Sequence, residues 1–364
     1  MNARIAPLRA HALQPARVAL LGTGTVGSAA WARLASLADS PLAGRLSLEY
    51  VANSRVSISD RSGIPADTSE LLLRNAPRAS SLDAIDDVLS GAGTRIVIDA
   101  TASECVAERH ARWLANGIHV VTACKLGQGA SLSRWRAIQY ARVRGDTRYG
   151  DSATVGAGLP LLRTLRELQD GGDRIHAIAG VLSGSLAWLF DHYDGLRPFS
   201  GFVRAAREAG YTEPDPRDDL SGEDVRRKLL ILARAAGHPL EADAVQVDSL
   251  VPAALAALSR EEVDAALPLL DAPLRERYAA AYKNGEKLRF IARLQAGGLV
   301  TVGLEALAAD HPLSGGAGTD NRVAIWSDRY RRQPLVIQGP GAGADVTAAA
   351  LVDDALRIAR DAGI

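Results

Sequence analysis

The hydrophobic pattern of the first half of the chain alternates between strands and helices. A short apolar run, Ala16 to Leu21, ends in the glycine-rich turn GTGTVG, and the segment after it, SAAWARLASLA, repeats apolar residues at helical spacing. Further strands are predicted at Leu46 to Ala52, Thr94 to Thr101 and Ile118 to Lys125, with helical segments between them. Strands that alternate with helices indicate an α/β fold with a parallel sheet and right-handed crossovers.

The pattern changes after about residue 150. Pro160 stands at the start of a predicted helix, IHAIAGVL is apolar enough for a buried strand, and SGSLAWLFDHY begins a helix with a serine cap. Farther on, Leu288 to Gln295 and the segment LVTVGLEAL flank Gly297-Gly298, as the strands of a hairpin would. These features predict a second, α+β domain with a mixed or antiparallel sheet.

The last segment, GPGAGADVTAAALVDDALRIAR, predicts a glycine-rich turn followed by a helix that packs back on the first domain. We therefore assign residues 15–150 and 336–364 to the first domain and residues 151–335 to the second. A chain of 364 residues is long for a single core, which supports two domains.

Composition narrows the class of function. Lys+Arg and Asp+Glu both number 42, so the basic excess expected of a protein that binds nucleic acid or a membrane surface is absent from the sequence. The two cysteines are too few for a disulfide framework and lack metal-ligand spacing. No long apolar run precedes the first strand, so we expect a cytoplasmic protein whose residues 1 to about 14 form a loose tail.

The turn GTGTVG has the spacing of a dinucleotide-binding loop. Gly22 permits the tight turn, Gly24 lets the backbone approach a pyrophosphate, and Gly27 lets the helix pack closely on the sheet. Because the motif follows a strand and opens a helix whose N-terminus faces the phosphates, it predicts a Rossmann-type domain rather than a structural turn. The predicted cofactor-binding residues of this turn are Gly22, Thr23, Gly24, Thr25, Val26 and Gly27.

The end of the second strand indicates which dinucleotide is preferred. An acid at this place binds the ribose 2′-hydroxyl of NAD, whereas here the strand runs into Asn53, Ser54 and Arg55. Because an arginine and small polar groups suit the 2′-phosphate of NADP, we predict that NADP(H) is preferred over NAD(H). The nearest acid, Glu49, lies too early unless the strand end is misplaced by a few residues.

The segment TEPDPRDDLSGEDVRRKLL gathers carboxylates before one lysine, Lys228. Ser221 and Asp224 have the spacing of a capping box, which predicts a helix start at about Gly222. On that helix Asp224 and Lys228 lie about 40° apart among apolar side chains, so their ion pair faces inward. Burial lowers the pKa of a lysine and a carboxylate raises it, so such a pair can hold a proton for a substrate oxygen.

Two interpretations of this ion pair stay open from the spacing alone. It either transfers a proton or is a buried pair that only positions the helix. Glu213 and Asp219, in the preceding loop, are free to face a cationic substrate group such as an α-ammonium.

Taken together, these blocks resemble the homoserine dehydrogenase family. AREAGYTEPDPRDDLSGEDVRRKLLILAR is similar to the substrate-site segment of that family, and GTGTVG, VVTACK, ATVGAGLP, GVLSGSLAWLF and GPGAGADVTA occur in family order from about residue 16 to 355. The sequence of these blocks is closest to the dehydrogenase portion of bifunctional aspartokinase–homoserine dehydrogenases, and we expect no kinase portion before them. The resemblance implies reversible NAD(P)-dependent reduction of L-aspartate 4-semialdehyde to L-homoserine, for threonine and methionine biosynthesis, by a homodimer whose second domain binds substrate and dimerises.

The resemblance also implies a role for individual residues. Lys125 and Lys228 are the two lysines at the reacting oxygen, and Asp224 orients Lys228. The nicotinamide delivers hydride to the aldehyde carbon, and the sequence leaves open which lysine gives the proton to the developing alkoxide. The amino-acid end of the substrate is assigned to Glu213, Asp219, Tyr211, Gly184 and Ser185, and further cofactor contacts are assigned to Thr101, Gly341 and Gly343.

A monovalent cation, Na⁺ or K⁺, is a further implication of the resemblance. The family commonly holds it with backbone carbonyls, which here belong to Val155, Ala157 and Leu159. Ser152 stands where a carboxylate is usual, and Asp151 is only its neighbour. We therefore expect weak or no activation by sodium or potassium.

Two competing functions are considered. In the first, the Cys124 thiol attacks an aldehyde, but that chemistry needs a base, and His119 points to the other face of the same strand. Cys124 is therefore expected to be a small buried residue. In the second, the protein binds NADPH without turnover, a hypothesis disfavoured by the Lys125, Asp224 and Lys228 constellation. The short stretch after GPGAGADVTA also predicts no cooperative inhibition by threonine.

Overall fold

The computed structural model describes residues 14–65, 73, 75–76, 78–316 and 318–364. The loose tail predicted at the N-terminus lies outside the described residues up to residue 13. In the first half of the described chain the strands are β1 (Ala16–Leu21), β2 (Leu46–Ala52), β3 (Val56–Ser59), β4 (Arg78–Ala79), β5 (Arg95–Asp99), β6 (His119–Thr122) and β7 (Tyr149–Gly150). The helices there are α1 (Thr25–Ser36), α2 (Ala84–Val88), α3 (Glu104–Ala115) and α4 (Leu132–Arg144).

These strands form one sheet in the order β4-β3-β2-β1-β5-β6-β7. The strands from β2 to β7 in this order run parallel, and β3 and β4 extend the sheet antiparallel at one edge. The four predicted strands are confirmed, but those predicted at 94–101 and 118–125 end at Asp99 and Thr122. The residues left over form loops at the carboxyl edge, where ligands of parallel sheets bind.

The second half of the described chain contains the other sheet. Its strands are β8 (Ile175–Val181), β9 (Val245–Val247), β10 (Lys287–Leu294), β11 (Val300–Leu307), β12 (Asp320–Ser327) and β13 (Leu335–Pro340), in the order β13-β12-β8-β10-β11-β9. All neighbouring pairs are antiparallel except β11 with β9, and β10–β11 is the predicted hairpin. The sheet is therefore mixed, as predicted.

The helices of this half, except the last, cover mainly one face of the second sheet. They are α5 (Leu161–Asp170), α6 (Gly184–His192), α7 (Phe199–Glu208), α8 (Pro216–Leu220), α9 (Glu223–Ala235), α10 (Ala253–Ala256), α11 (Val263–Ala266), α12 (Asp271–Lys283) and α13 (Ala344–Asp361). Short 3₁₀ turns lie at Leu37–Asp39, Ser152–Thr154, Ala242–Ala244 and Leu267–Leu270. Leu165, Phe190 and Leu229 pack with Phe290 and Ile325 of the sheet in the largest core. The opposite face carries a smaller apolar cluster around Ala179, Ile291 and Ala324.

The C-terminal segment joins both sheets. β13 pairs with β12 in the second sheet, so the chain crosses back after Pro340, later than the predicted boundary at residue 336. Helix α13 then packs with α1 on one face of the first sheet, where Leu351 and Ala355 share a core with Leu20 and Trp31. Helices α3 and α4 cover the other face. Among the described helices, none combines the length and apolar character needed to cross a lipid bilayer.

The start of α9 differs from the predicted capping box. Gly222, in a left-handed conformation with φ of 77°, is the N-cap, and it has no side chain to accept a hydrogen bond. Ser221 ends the preceding helix α8 and donates to the Asp218 carbonyl. The capping-box prediction is wrong because the Asp224 carboxylate is used elsewhere, whereas the predicted helix start is displaced by one residue.

Candidate active site

The glycine turn between β1 and α1 has the geometry of a phosphate-binding loop. Gly22 has a φ of 92°, and a Cβ there would lie 2.8 Å from the Ala100 carbonyl oxygen. A methyl group on Gly27 would overlap the carbonyl of Gly22, so the helix could not approach the turn. A Cβ on Gly24 would meet nothing within 4 Å, and Gly24 caps α1 without a side-chain bond. The open space and the helix N-terminus together suit an anion.

Two cavities meet at this turn. The larger, about 820 Å³, continues toward the second domain, and the smaller, about 640 Å³, extends along the end of β2. The residues that line both are Gly24, Ala100, Thr101 and Ala102. The larger cleft is also lined by Thr25, Val26, Lys125, Ala157, Asp224, Arg227, Lys228, Gly341 and Gly343. An extended dinucleotide fits two joined cavities of this size.

The end of β2 forms the wall of the smaller cavity. The Asn53 carboxamide oxygen accepts hydrogen bonds from the backbone N–H groups of Arg55 and Val56, which fixes the turn. Asn53 and Ser54 line the cavity, whereas Arg55 is exposed beside it. Glu49 is buried and paired with Arg17 at 2.8 Å, so it is not available to a ribose. The strand end is therefore placed as predicted.

Two lysines from different domains share one carboxylate. Lys125 follows β6, and its Nζ lies 3.3 Å from Asp224 Oδ1, while Lys228 Nζ lies 2.8 Å from Asp224 Oδ2. Asp224 and Lys228 are one turn apart on α9, so the loop after β6 meets this helix face. Only 12% of the Lys228 side chain is exposed, against 33% for Lys125. The predicted constellation is thus brought together at the domain junction.

The charge state of Asp224 follows from these neighbours. Burial alone would raise the pKa of its carboxyl, but the positive charges of Lys228 and Lys125 and their hydrogen bonds hold it well below its usual range. The carboxylate therefore stays ionised at neutral pH, and both lysines keep an anionic partner. Such a group can orient an ammonium donor without competing for its proton.

Lys228 has a second fixed contact. Its Nζ donates to the Leu182 carbonyl oxygen at 2.8 Å, just beyond the end of β8. The Asn321 side chain lies 3.4 Å from the same oxygen, and Asn321 Oδ1 has no hydrogen-bond partner among the described residues. Because a Cβ on Gly341 would overlap the Asn321 side chain, the C-terminal turn closes tightly over this point.

The residues assigned to the amino-acid end of the substrate lie behind Leu182. The Ser185 hydroxyl donates to Asp219 at 2.7 Å, and the Glu213 backbone N–H donates to the other oxygen of Asp219 at 2.8 Å. Burial raises the pKa of Asp219, and these hydrogen bonds offset part of the effect. Glu213 and Tyr211 are exposed, and the Tyr211 ring lies 5.5 Å from that of Trp188.

These residues form a second group beside the cleft rather than part of its wall. Among the described residues that line the larger cavity, Glu213, Asp219, Tyr211, Gly184 and Ser185 do not occur. Gly184 begins α6 directly after Ser183, whose hydroxyl accepts from Leu186 N–H as the predicted serine cap. The loop from Leu182 to Gly184 connects this group to Lys228.

Several polar groups at and beside the turn proposed for a cation already have hydrogen-bond partners. The Asp151 carboxylate accepts two bonds from Arg166, at 2.8 and 2.5 Å, and one from Gln128 at 2.8 Å. Ser152 donates to Asp354 from both its N–H and its hydroxyl. The Leu159 carbonyl already accepts from Leu161 N–H. Because the nearby carboxylate is neutralised by an arginine, Val155, Ala157 and Leu159 fit a cation poorly.

Cys124 does not have the environment of a nucleophile. It is 3% exposed, and burial, followed by the nearby Asp99 charge, raises the pKa of its thiol to about 12. Burial also lowers the pKa of His119 to about 4, and His119 Nδ1 accepts from the Arg148 backbone. The thiol therefore stays protonated at neutral pH, and the His119 ring nitrogen that could act as a base is occupied by the Arg148 backbone.

Two features of the cleft escaped sequence reasoning. The first is Asp99, at the end of β5, which is fully buried and binds Thr101. An acidic residue at the end of the apolar strand IVIDA is the sequence signal that could have indicated it. Arg227 lines the cleft beside Lys228 without an ion-pair partner among the described residues. With Lys125, Asp224 and Lys228 it leaves the cleft positively charged, which suits anionic ligands.

Comparison with known proteins gives a consistent result. A family model described as homoserine dehydrogenase matches residues 160–356, and one described as the homoserine dehydrogenase NAD binding domain matches residues 22–148. The chain is 39% identical over 354 residues to bifunctional aspartokinase/homoserine dehydrogenase 2 of Escherichia coli (strain K12), covering 94% of this chain and 43% of that protein. It thus spans less than half the length of that relative.

Two further relatives match this chain over nearly the full length of both proteins. A homoserine dehydrogenase of Emericella nidulans is 35% identical over 365 residues, with 94% of this chain and 98% of that protein covered. The crystal structure of a Candida auris protein of unknown function has a TM-score of 0.87 and 34% identity, and covers 95% of this chain and 98% of that one.

Proposed function

Because the chain belongs to the homoserine dehydrogenase family, we propose that it interconverts L-aspartate 4-semialdehyde and L-homoserine by hydride transfer, on the route to threonine and methionine. The observation that carries this proposal is the Asp224 carboxylate, which binds Lys125 and Lys228 in a cleft that also contains the glycine turn. A dinucleotide site and two ammonium donors are what reduction of an aldehyde to an alkoxide requires.

The residues that hold the cofactor come from both ends of the chain. Gly24, Thr25 and Val26 offer the N-terminus of α1 to the diphosphate, and Gly341 and Gly343 close the cleft from the C-terminal turn. Thr101 lies between the two cavities, where the nicotinamide end would enter. When bound, the nicotinamide supplies or accepts the hydride.

Lys228 and Lys125 act on the substrate oxygen. Two of the three N–H groups of Lys228 are used, one by Asp224 and one by the Leu182 carbonyl, so one remains for the substrate. During reduction, the lysines stabilise the alkoxide and supply its proton, and the ionised Asp224 keeps both ammonium groups in place. Glu213 and Asp219 receive the substrate α-ammonium group, reached past Ser185.

NADPH is proposed as the better cofactor. Support comes from the end of β2, where Asn53 and Ser54 line the adenosine cavity, Arg55 stands beside it, and Glu49 is committed to Arg17. No acid among these residues would repel a 2′-phosphate.

We also propose that the enzyme needs no monovalent cation. Among the described residues, the carboxylate nearest in sequence to the Val155–Leu159 turn is that of Asp151, and it is occupied by Arg166 and Gln128. The kcat measured in choline chloride should agree within about twofold with the kcat measured after sodium or potassium chloride is added. Activation beyond that range would mean that a cation displaces these hydrogen bonds.

A homodimer is proposed through the face of the second sheet opposite its helices, which carries the cluster around Ala179, Ile291 and Ala324. Trp326, His176 and Arg293 surround a shallow cavity of about 470 Å³ on that face, and Trp326 is only half-buried. Large, partly exposed aromatic residues are common at subunit interfaces. Light scattering of the purified protein should give twice the mass of the chain.

The proposed reaction is tested by turnover of L-homoserine with NADP⁺, followed at 340 nm, with L-serine as the matched control that lacks one methylene. Reduction of NADP⁺ with homoserine alone would support the proposal. Tight NADPH binding without turnover of homoserine or L-aspartate 4-semialdehyde would instead indicate a binding protein.

A further inference from the structure

A buried carboxylate underlies the two loops that face the nicotinamide end of the cleft. Asp99 ends β5 and is fully buried, as are Thr122 and His110. One Asp99 oxygen accepts from the Thr101 N–H at 2.9 Å and from its hydroxyl at 2.7 Å. The other oxygen accepts from the Thr122 hydroxyl at 3.2 Å. Asp99 therefore binds residues at the carboxyl ends of two neighbouring strands.

The network continues into the loop that carries Lys125. The Thr122 hydroxyl also accepts a hydrogen bond from the Cys124 backbone N–H at 2.8 Å, directly before Lys125. On the other side, a methyl group on Gly127 would overlap the Tyr149 hydroxyl. The start of the loop is thus held by a hydrogen bond, and Gly127, farther along the loop, lies against an aromatic side chain.

His110 closes the network from α3. Its Nε2 lies 3.0 Å from the second Asp99 oxygen, and its Nδ1 lies 2.9 Å from the Tyr149 hydroxyl. Because a carboxylate only accepts, Nε2–H donates to Asp99, and Nδ1 shares the hydrogen bond with the phenol. Burial raises the pKa of Tyr149 well above its usual value, so the phenol keeps its proton.

We propose that Asp99, with His110 and Thr122, is a positioning residue that sets Thr101 and Lys125 against the nicotinamide end of the bound dinucleotide. This inference rests on the proposed dinucleotide-dependent function. Asp99 itself contacts neither the dinucleotide nor the substrate, because it is fully buried and bound to Thr101. Its effect should be strongest at the nicotinamide end, because Lys125 lines only the larger cavity and Thr101 stands where the two cavities join. At the adenosine end, Asn53 bonds to Thr23, Arg55 and Val56 rather than to Asp99.

The chain offers a matched control for this effect. Glu49 is also a buried carboxylate in the first sheet, paired with Arg17 at 2.8 Å, but it lies away from both cleft loops. Removing either negative charge leaves buried donors unsatisfied and destabilises the fold. A purely structural role for Asp99 therefore predicts that the two variants behave alike toward ligands.

The test compares two ligands that differ in the nicotinamide riboside portion. Dissociation constants for NADPH and for 2′-phospho-ADP-ribose are measured by calorimetry, without substrate, for the wild type, Asp99→Asn, Thr122→Val and Glu49→Gln. In Asp99→Asn, affinity for NADPH should fall about tenfold, as expected for a lost charged hydrogen bond, with 2′-phospho-ADP-ribose within twofold of wild type. Thr122→Val, which removes one neutral link, should show about a threefold selective loss.

Glu49→Gln should leave the ratio of the two dissociation constants unchanged even if its melting temperature falls. If Asp99→Asn fails to fold, Thr122→Val decides the question alone. The proposal would be overturned if the Asp99 and Thr122 variants lost affinity equally for NADPH and 2′-phospho-ADP-ribose, or lost affinity for neither. Because these constants are measured without homoserine, their outcome is separate from that of the turnover assay.

Discussion

The two walls of the cleft recognise their ligands by different means. The wall from the first domain is built of backbone and open space: a Cβ on Gly24 would meet nothing within 4 Å, and α1 begins without a side-chain cap. The wall at α9 is built of charge: Asp224 and Lys228 of this helix form ion pairs with each other and, through Asp224, with Lys125, which reaches across from the loop after β6. Cofactor binding at the first wall should therefore weaken when a side chain fills this space, and catalysis at the second wall should be lost when a charge is removed.

The largest expected effect lies on the charged wall. Lys228→Met should lower kcat at least about 100-fold, because it removes a proton donor and positive charge from the reacting oxygen. The dissociation constant of NADPH should change little, since we propose that the phosphates of NADPH bind at the glycine turn. Lys287→Met, at an exposed lysine that begins β10, is the control. A Lys228 variant within threefold of wild-type kcat would exclude the proposed role.

On the glycine wall, Gly24→Ala should weaken NADPH binding about tenfold or more. The new methyl group meets nothing within 4 Å in the free protein, so the melting temperature should hold while the phosphate loses its close approach to the backbone. Gly201→Ala, an equally unobstructed glycine within α7, should leave binding unchanged. Unchanged NADPH affinity in Gly24→Ala would place the diphosphate elsewhere.

A smaller effect is expected at the adenosine end. Arg55 is exposed, so its ion pair with a 2′-phosphate is partly screened by water. Arg55→Asp should lower kcat/KM for NADPH about fivefold and favour NADH, whereas Arg61→Asp, at another exposed arginine after β3, should not. Equal kcat/KM for the two cofactors in the wild type would contradict the assigned preference.

The least change is expected at Cys124, which lines the same cleft. Its pKa of about 12 leaves the thiol protonated throughout pH 6 to 9. Iodoacetamide should therefore modify the exposed Cys105 and spare Cys124, which mass spectrometry can establish. Cys124→Ser should retain turnover within about threefold. Loss of activity on selective alkylation of Cys124 would revive the thiol mechanism.

The pH dependence of the charged wall follows from the pKa of Asp224. Since the folded protein lowers this pKa, the stability it contributes is present above the unfolded value and is lost only as the pH falls through the lower folded value. Between pH 5 and 8, therefore, no loss of kcat should be traced to Asp224. An acid limb in this window that Asp224→Asn abolishes would contradict this assignment.

The sequence by itself determined the elements and the local chemistry. Apolar runs and glycine spacing placed β1, the turn and α1, because backbone conformation there depends on the residues in it. Helical periodicity put Asp224 and Lys228 on one face, since residues four apart are always neighbours on a helix. The acid-free end of β2 was also placed correctly.

Only the tertiary structure decided which charged residues, distant in sequence, form ion pairs. Lys125 and Asp224 are nearly a hundred positions apart, and no periodicity relates a loop after β6 to the face of α9. The pairing of Asp151 with Arg166, the fit of Gly341 against Asn321 and the Asp99 network likewise depend on packing between elements. The capping box failed for a related reason: the Asp224 carboxylate is bound by Lys228 on its own helix and by Lys125 across the domain junction.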